Sequence, residues 1–255
     1  MFRKNERGLS MAGHSKWANI KHRKEKSDQK KGKEFSRLAK EIISAVKQGG
    51  SDPKTNVKLA RAIEKAKEAN FPSENVERNI KKASNPDQSD FSEMTYELYG
   101  YGGAGIIVDV MTDNKNRIAS EIRIATNKCG GTIATPGSVS YNFERKGVLE
   151  VLKKHALEDE LFLLVSDAGA EDFEVADDRF MITTAPENLN KVKEALEKKQ
   201  IVCDSASLEM IPKNFVECSK EDLAQNMKLI EWLERLDDVD AVYHNINYSS
   251  SKGED

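Results

Sequence analysis

The spacing of apolar residues is helical alone before a linker and alternates between strand and helix after it, and that change decides the class of fold. Residues 1–27 are polar and basic with no helical period, and from about Asp28 to Ala83 apolar residues recur every three or four positions. Phe35, Leu38, Ala39, Ile42, Ile43 and Val46 predict a helix over 28–48. Gly49-Gly50 ends it, because glycine accepts the left-handed conformation past a helix C-terminus. Asp52-Pro53 predicts the start of the next helix, with Asp as N-cap and Pro at the first helical position, and Leu59, Ile63 and Ala66 on its core side. A third short helix begins near Ser73, with Val76 and Ile80 four apart, and Ser84–Asp90 reads as a linker. Three short helices predict a small bundle with a limited core.

Past the linker the pattern becomes strand-like. Runs at 95–101 and 105–111 flank a glycine-rich turn, and a helix over 115–128 follows with Asp113 or Asn114 as N-cap. A strand is expected at 139–143. The order from Gly147 is strand (148–152), helix (158–168), strands at Phe173 and 180–184, helix (187–200) and strand (202–210). That β-α-β-β-α-β order is the ferredoxin-like split arrangement. A tail helix (221–236) and strand (239–245) are placed to complete the sheet begun at 95–143. The expected fold class is therefore α/β (α+β) with three domains. A flexible basic arm (1–27) leads into a helical domain (28–88). A discontinuous α/β domain (89–145 with 213–248) encloses an inserted ferredoxin-like domain (146–212), and 249–255 form a disordered tail.

Charge divides the same way. The net charge of −3 conceals 22 Lys and Arg against 10 Asp and Glu in Met1–Lys82, leaving 18 against 33 in the remainder. A basic head on an acidic body implies a polyanion partner for the head alone. Cys129, Cys203 and Cys218 are scattered without a CxxC pair, which argues against a disulfide framework or a zinc site. The N-terminal residues lack the apolar stretch of a secretory signal, and the longest apolar run, from Gly105, is too short to span a bilayer. A cytoplasmic protein that does not engage membranes is expected. A second Met at position 11 suggests that 1–10 are an upstream extension.

On the first helix, at about 100° per residue, Phe35, Leu38, Ala39, Ile42 and Val46 cluster on one side, with Lys30, Lys33, Arg37, Lys40 and Lys47 on the other. Most charged stripes are simply solvated helix faces. Here the arm continues the charge through Lys16, Lys21, Arg23, Lys24, Lys26, Lys30 and Lys31, and Trp17 adds a ring suited to stacking on a base. Self-repulsion among so many cations is relieved when a polyanion neutralises them. The candidate nucleic-acid-binding residues are therefore Lys16, Trp17, Lys21, His22, Arg23, Lys24, Lys26, Lys30, Lys31, Lys33, Arg37 and Lys40. The arm holds few Asn or Gln side chains to read adenine, so phosphate contact is expected to dominate.

Nothing comparable supports catalysis. Gly100-Tyr-Gly-Gly-Ala-Gly105 leads into a strand rather than a helix, and no Gly-Lys-Ser/Thr follows, so a hairpin turn is expected instead of a nucleotide loop. His14 and His22 lie in the arm, and His155 and His244 are isolated. Asp109, Asp113 and Glu121 are the only carboxylates that suggest a Mg²⁺ site, and each suits a cap or a surface position better. No catalytic residue, metal or cofactor is expected, and the chain does not read as an enzyme.

Met11-Ala-Gly-His-Ser-Lys-Trp-Ala-Asn-Ile-Lys-His-Arg-Lys24, followed by Lys31-Gly-Lys-Glu-Phe-Ser-Arg37, resembles the opening of the YebC family. Asp113-Asn-Lys-Asn-Arg117, Gly130-Gly131 and Gly137-Ser-Val139 extend the resemblance to about Tyr248. The family contains probable transcriptional regulators and the mitochondrial translational activator of cytochrome c oxidase. The resemblance implies a helical N-terminal domain, a middle domain and a third domain inserted in the middle one. It also implies a non-enzymatic role in gene expression. One form of that role is DNA binding in transcription regulation. The other is RNA binding by a ribosome-associated translation factor that eases synthesis of proline-rich stretches and contacts ribosomal or transfer RNA. Ala134 departs from the family's Gly-Gly-x-x-Gly pattern, and 1–10 have no counterpart in it.

Overall fold

A computed structural model describes residues 16–20, 31–85 and 90–247. Two compact units emerge: one contains 140–215 with Lys16, the other the described residues of 17–139 and 216–247.

In the larger unit, helices α1 (Lys31–Gly49), α2 (Val57–Glu68) and α3 (Ser73–Ala83) enclose a core of their own. Leu38, Ile42, Ile43 and Val46 of α1 meet Leu59, Ala62 and Ala66 of α2 and Val76 of α3. Phe35 sets its ring edge-on to Phe71, with centroids 5.1 Å apart. Gly50 ends α1 at φ +85°. The next helix starts later than Asp52-Pro53 suggests. Asp52 holds a separate turn by accepting from the Lys54 amide at 2.9 Å, and Asn56 is the N-cap. Asn56 is the better cap because its amide group works at both ends. Its oxygen accepts from the Leu59 amide at 3.1 Å, while its NH₂ donates to the Ala45 and Gly50 carbonyls at 2.7 and 2.8 Å. One side chain thus starts α2 and fastens it to the end of α1.

Strands β1 (Ser92–Tyr99), β2 (Gly105–Thr112), β3 (Thr132–Ile133) and β8 (Val239–His244) form an antiparallel sheet in the order β3-β1-β2-β8. The tail strand β8 pairs with β2, bringing His244 opposite Ile106. Helices α4 (Lys115–Cys129) and α7 (Lys220–Arg235) cover one face through Ile118, Ile122, Ala125, Leu229, Ile230 and Leu233. The glycine-rich stretch is the turn of the β1–β2 hairpin, with Gly102 and Gly103 at φ +63° and +78°. Asn114 is the cap of α4 and accepts from the Asn116 and Arg117 amides.

Glu97 organises the loop before residue 140. Its carboxylate, buried within the sheet, accepts from the Gly137 amide at 2.7 Å and the Val139 amide at 2.6 Å. Ala134 fits this loop without strain. Its amide donates to the Glu97 carbonyl at 2.8 Å, and its φ is not positive, so no glycine is required there.

The smaller unit contains β4 (Phe143–Leu152), α5 (Glu158–Ala168), β5 (Ala170–Val175), β6 (Arg179–Thr184), α6 (Leu189–Lys198) and β7 (Ser205–Pro212). Its antiparallel sheet runs β5-β6-β4-β7 beneath the two helices, the ferredoxin-like arrangement. The strand expected at 139–143 is instead a turn and a short 3₁₀ segment, Ser140–Asn142, and pairing begins at Phe143. Asn142 is diverted by side-chain bonding. Its amide donates to the Asn214 carbonyl at 2.9 Å and its oxygen accepts from the Asn214 amide at 3.0 Å, joining the two ends of the unit.

Candidate nucleic-acid interface

The sequence directs attention to the outward row of α1. Lys33, Arg37 and Lys40 do lie together on one side of that helix, but they are engaged within the larger unit. The Lys33 ammonium donates to the carbonyls of Glu234 and Leu236, the latter at 2.8 Å, where α7 ends. A cation there meets the negative end of the helix dipole. Arg37 bridges to Glu41 at 3.2 Å and approaches Asp240 at 3.8 Å. Lys40 donates to the Met111 and Asp237 carbonyls, each at 3.0 Å, and to Asp238 at 3.1 Å. The picture of an open cationic row on α1 is therefore corrected: its partners are backbone carbonyls and the Asp237-Asp-Val-Asp240 corner between α7 and β8.

Asp238 is the centre of this cluster. One of its oxygens takes Lys40. The other accepts from Arg117 Nη2 at 2.5 Å and from Thr112 at 2.8 Å. Arg117 also reaches Asp113 at 2.7 Å, so the Asp113–Arg117 motif is part of the same network. Burial opposes ionisation of Asp238, yet the hydrogen bonds from Arg117, Thr112 and Lys40 outweigh it and hold the carboxyl below its ordinary value. Burial likewise lowers Lys33, against the pull of Asp237, Glu234 and Asp240.

Asp240 behaves in the opposite sense. Burial pushes its carboxyl up to about 6, against Arg37 and Lys40, with Glu41 and Asp109 adding to the rise. Because the folded value lies above the unfolded one, ionising Asp240 reduces stability. The penalty is absent below about pH 4 and complete above about pH 6. Asp240→Asn should therefore stabilise the protein by about 2 kcal/mol at pH 7.5 and leave it nearly unchanged at pH 4. Urea midpoints at the two pH values measure this.

The other candidate residues are distributed as follows. Lys16 pairs with Asp172 at 3.1 Å, both in the smaller unit, and Trp17 is half-buried in a helical segment. Lys21, His22, Arg23, Lys24, Lys26 and Lys30 lie outside the described residues, as does the side chain of Lys31. Asp109 accepts from Thr95, and among the described residues no three metal-ligating side chains converge. No described helix is long and apolar enough to cross a membrane.

Helices α2 and α3 carry cations that the charge pattern of α1 and the arm does not bring out. Lys58, Arg61 and Lys65 occupy successive turns of the exposed side of α2, and Arg78, Lys81 and Lys82 the last turns of α3. Lys58 and Lys65 are tied to Gln48 and Glu41. Among the described residues, the side chains of Lys54, Arg61, Lys67, Arg78, Lys81 and Lys82 are exposed with no hydrogen bond or ion pair. The sequence does hold the signal for them, since a cation three, four or seven residues from another shares its helix face.

Comparison with known proteins agrees with this architecture. The description "TACO1/YebC protein N-terminal domain" matches residues 15–86, and "TACO1/YebC second and third domain" matches 91–246. A "probable transcriptional regulatory protein" of Protochlamydia amoebophila is 65% identical over 236 residues, covering 92% of this chain and 96% of its own. One from Chlamydia pneumoniae is 54% identical over 238 residues, covering 93% and 100%. The crystal structure of a conserved hypothetical protein from Aquifex aeolicus superposes with a TM-score of 0.76 at 43% identity, covering 91% of this chain and 96% of that one. With both parts of the chain matched and the fold shared, the protein belongs to the TACO1/YebC family.

Proposed function

We propose that this protein regulates gene expression by binding nucleic acid through its basic N-terminal part, with DNA as the target in transcription regulation. The carrying observation is the set of exposed cations on α2 and α3, unpaired among the described residues, on a head where Lys33, Arg37, Lys40 and Lys47 of α1 are held by the protein itself. The sequence adds Lys16, Trp17, Lys21, His22, Arg23, Lys24, Lys26, Lys30 and Lys31 as further candidate contacts in the proposal. The names borne by the Protochlamydia and Chlamydia relatives support the regulatory role.

A second reading, an RNA-binding factor acting at the ribosome, is favoured by the chemistry of the exposed faces. They offer Lys and Arg for phosphate, and few amides to read base edges. The two readings separate in one experiment. Binding of the full chain to a short duplex should weaken by several hundredfold from 50 to 200 mM salt, a slope near −4.5 for about five phosphates. A flat response removes the electrostatic basis of both. Preference for one duplex over its scrambled counterpart by ~10³ supports the DNA reading. Salt-sensitive co-sedimentation with ribosomes, without such preference, replaces it with the RNA reading.

A further inference from the structure

The charged face of α1 combines two properties. Lys33, Arg37 and Lys40 stand at i, i+4 and i+7, a stripe about 10 Å long at 1.5 Å per residue, the form in which a helix meets a phosphate backbone. The same three cations hold the helical head against the α7–β8 corner, through the carbonyls of Glu234, Leu236, Met111 and Asp237 and the carboxylates of Asp238 and Asp240.

This attachment is mainly polar, with Phe91, the residue before β1, packed against the α1–α3 core and its ring centroid lying 5.8 Å from the Lys40 ammonium. The apolar core of α1–α3 is separate from the core of β1, β2, β8, α4 and α7, and a cleft of about 600 Å³ lies beside the junction. Glu41, Ser44 and Lys58 from the head line it, facing Phe91, Met111 and Lys115. Undocking would also leave Asp238 provided for, since Arg117 and Thr112 continue to donate to it after Lys40 departs. The carbonyls released by Lys33 and Lys40 would turn to water. The buried residues of the two cores stay covered, Phe91 being the contact that must give, and no carboxylate of the Asp113–Asp238 network loses all its donors.

We infer that α1 is a polyanion-sensitive latch: the Asp237–Asp240 corner occupies the cations of α1 in the free protein, and a phosphate backbone competes for them and releases the head. The inference rests on the proposed nucleic-acid binding and adds its regulation. α2 and α3 make the first contact with the head docked. Recruitment of α1 follows, converting internal ion pairs into contacts with phosphate.

The test reads the carboxylates, which a bound polyanion does not shield. The full-length protein is labelled with a carbodiimide and an amine, alone and with a saturating short duplex. Labelling at Asp238 and Asp240 is then read by peptide mass spectrometry. The expected result is low labelling in the free protein and a several-fold rise with duplex, while Asp177 and Glu187 of the smaller unit stay constant. A Lys33→Gln/Lys40→Gln variant, its fold checked by circular dichroism, should show the raised labelling without duplex. If the duplex binds and Asp238 and Asp240 stay protected, the latch is overturned and nucleic-acid binding stands. If no duplex or RNA binds at any salt concentration, the proposed function fails and the latch fails with it.

Discussion

Asp238→Ala should lower the unfolding free energy by about 2–3 kcal/mol, the usual scale for hydrogen bonds to a charged group, because Arg117 keeps Asp113 and Lys40 keeps two backbone carbonyls. The residue is 4% exposed and its carboxylate serves three donors, so its loss leaves Arg117, Lys40 and Thr112 without their shared acceptor. A chemical-denaturation midpoint well below that of the parent protein is the expected observation. Asp238→Asn should lie between the two, since it keeps an oxygen for Arg117 or Lys40 but lacks the charge. The effect should also depend on pH. Asp238 is held below its ordinary value, so its contribution is complete above about pH 4 and disappears as the pH falls through the folded value. Parent and variant should converge in acid. A variant as stable as the parent at pH 7 would mean that the cluster does not hold the head in solution.

Charge reversal on α2 and α3 should have the largest effect on binding. Arg61→Glu, Lys81→Glu and Lys82→Glu together should weaken duplex or RNA binding by about 10² or more. The salt slope should fall by nearly 3, about 0.9 for each phosphate that is no longer neutralised. These side chains are exposed and unpaired among the described residues, so the melting temperature should hardly move. Unchanged affinity in this variant would shift the interface to the arm.

The fold is largely legible in the sequence because periodicity reports burial. Leu38, Ile42 and Val46 face a core, and the β-α-β-β-α-β order of the smaller unit can be read from its apolar spacing and turns. Expectation and structure part where side chains override propensity. Asn56 displaces Asp52 as the cap of α2, and Asn142 turns an apparent strand into a turn by bonding to Asn214. The candidate site is legible in composition but not in detail. A helical wheel separates the apolar face of α1 from its charged face, but it cannot reveal that the charged face has a partner about two hundred residues away. The Asp237-Asp-Val-Asp240 run is visible as a string of acids. Its match to Lys33, Arg37 and Lys40 exists only in three dimensions.

The bond between Asn142 and Asn214 also bears on the order in which the chain can fold. Pairing of β2 with β8 joins segments separated by the whole of 140–215, and closing so long a loop is a slow step for any sheet. Once the smaller unit has formed, Asn142 and Asn214 are held together, and the intervening residues no longer count as slack. The search then covers a much shorter effective tether, with correspondingly less closure entropy. During synthesis this favours an orderly sequence. The smaller unit sets first, and β8, made after every other strand, finds its neighbour already waiting.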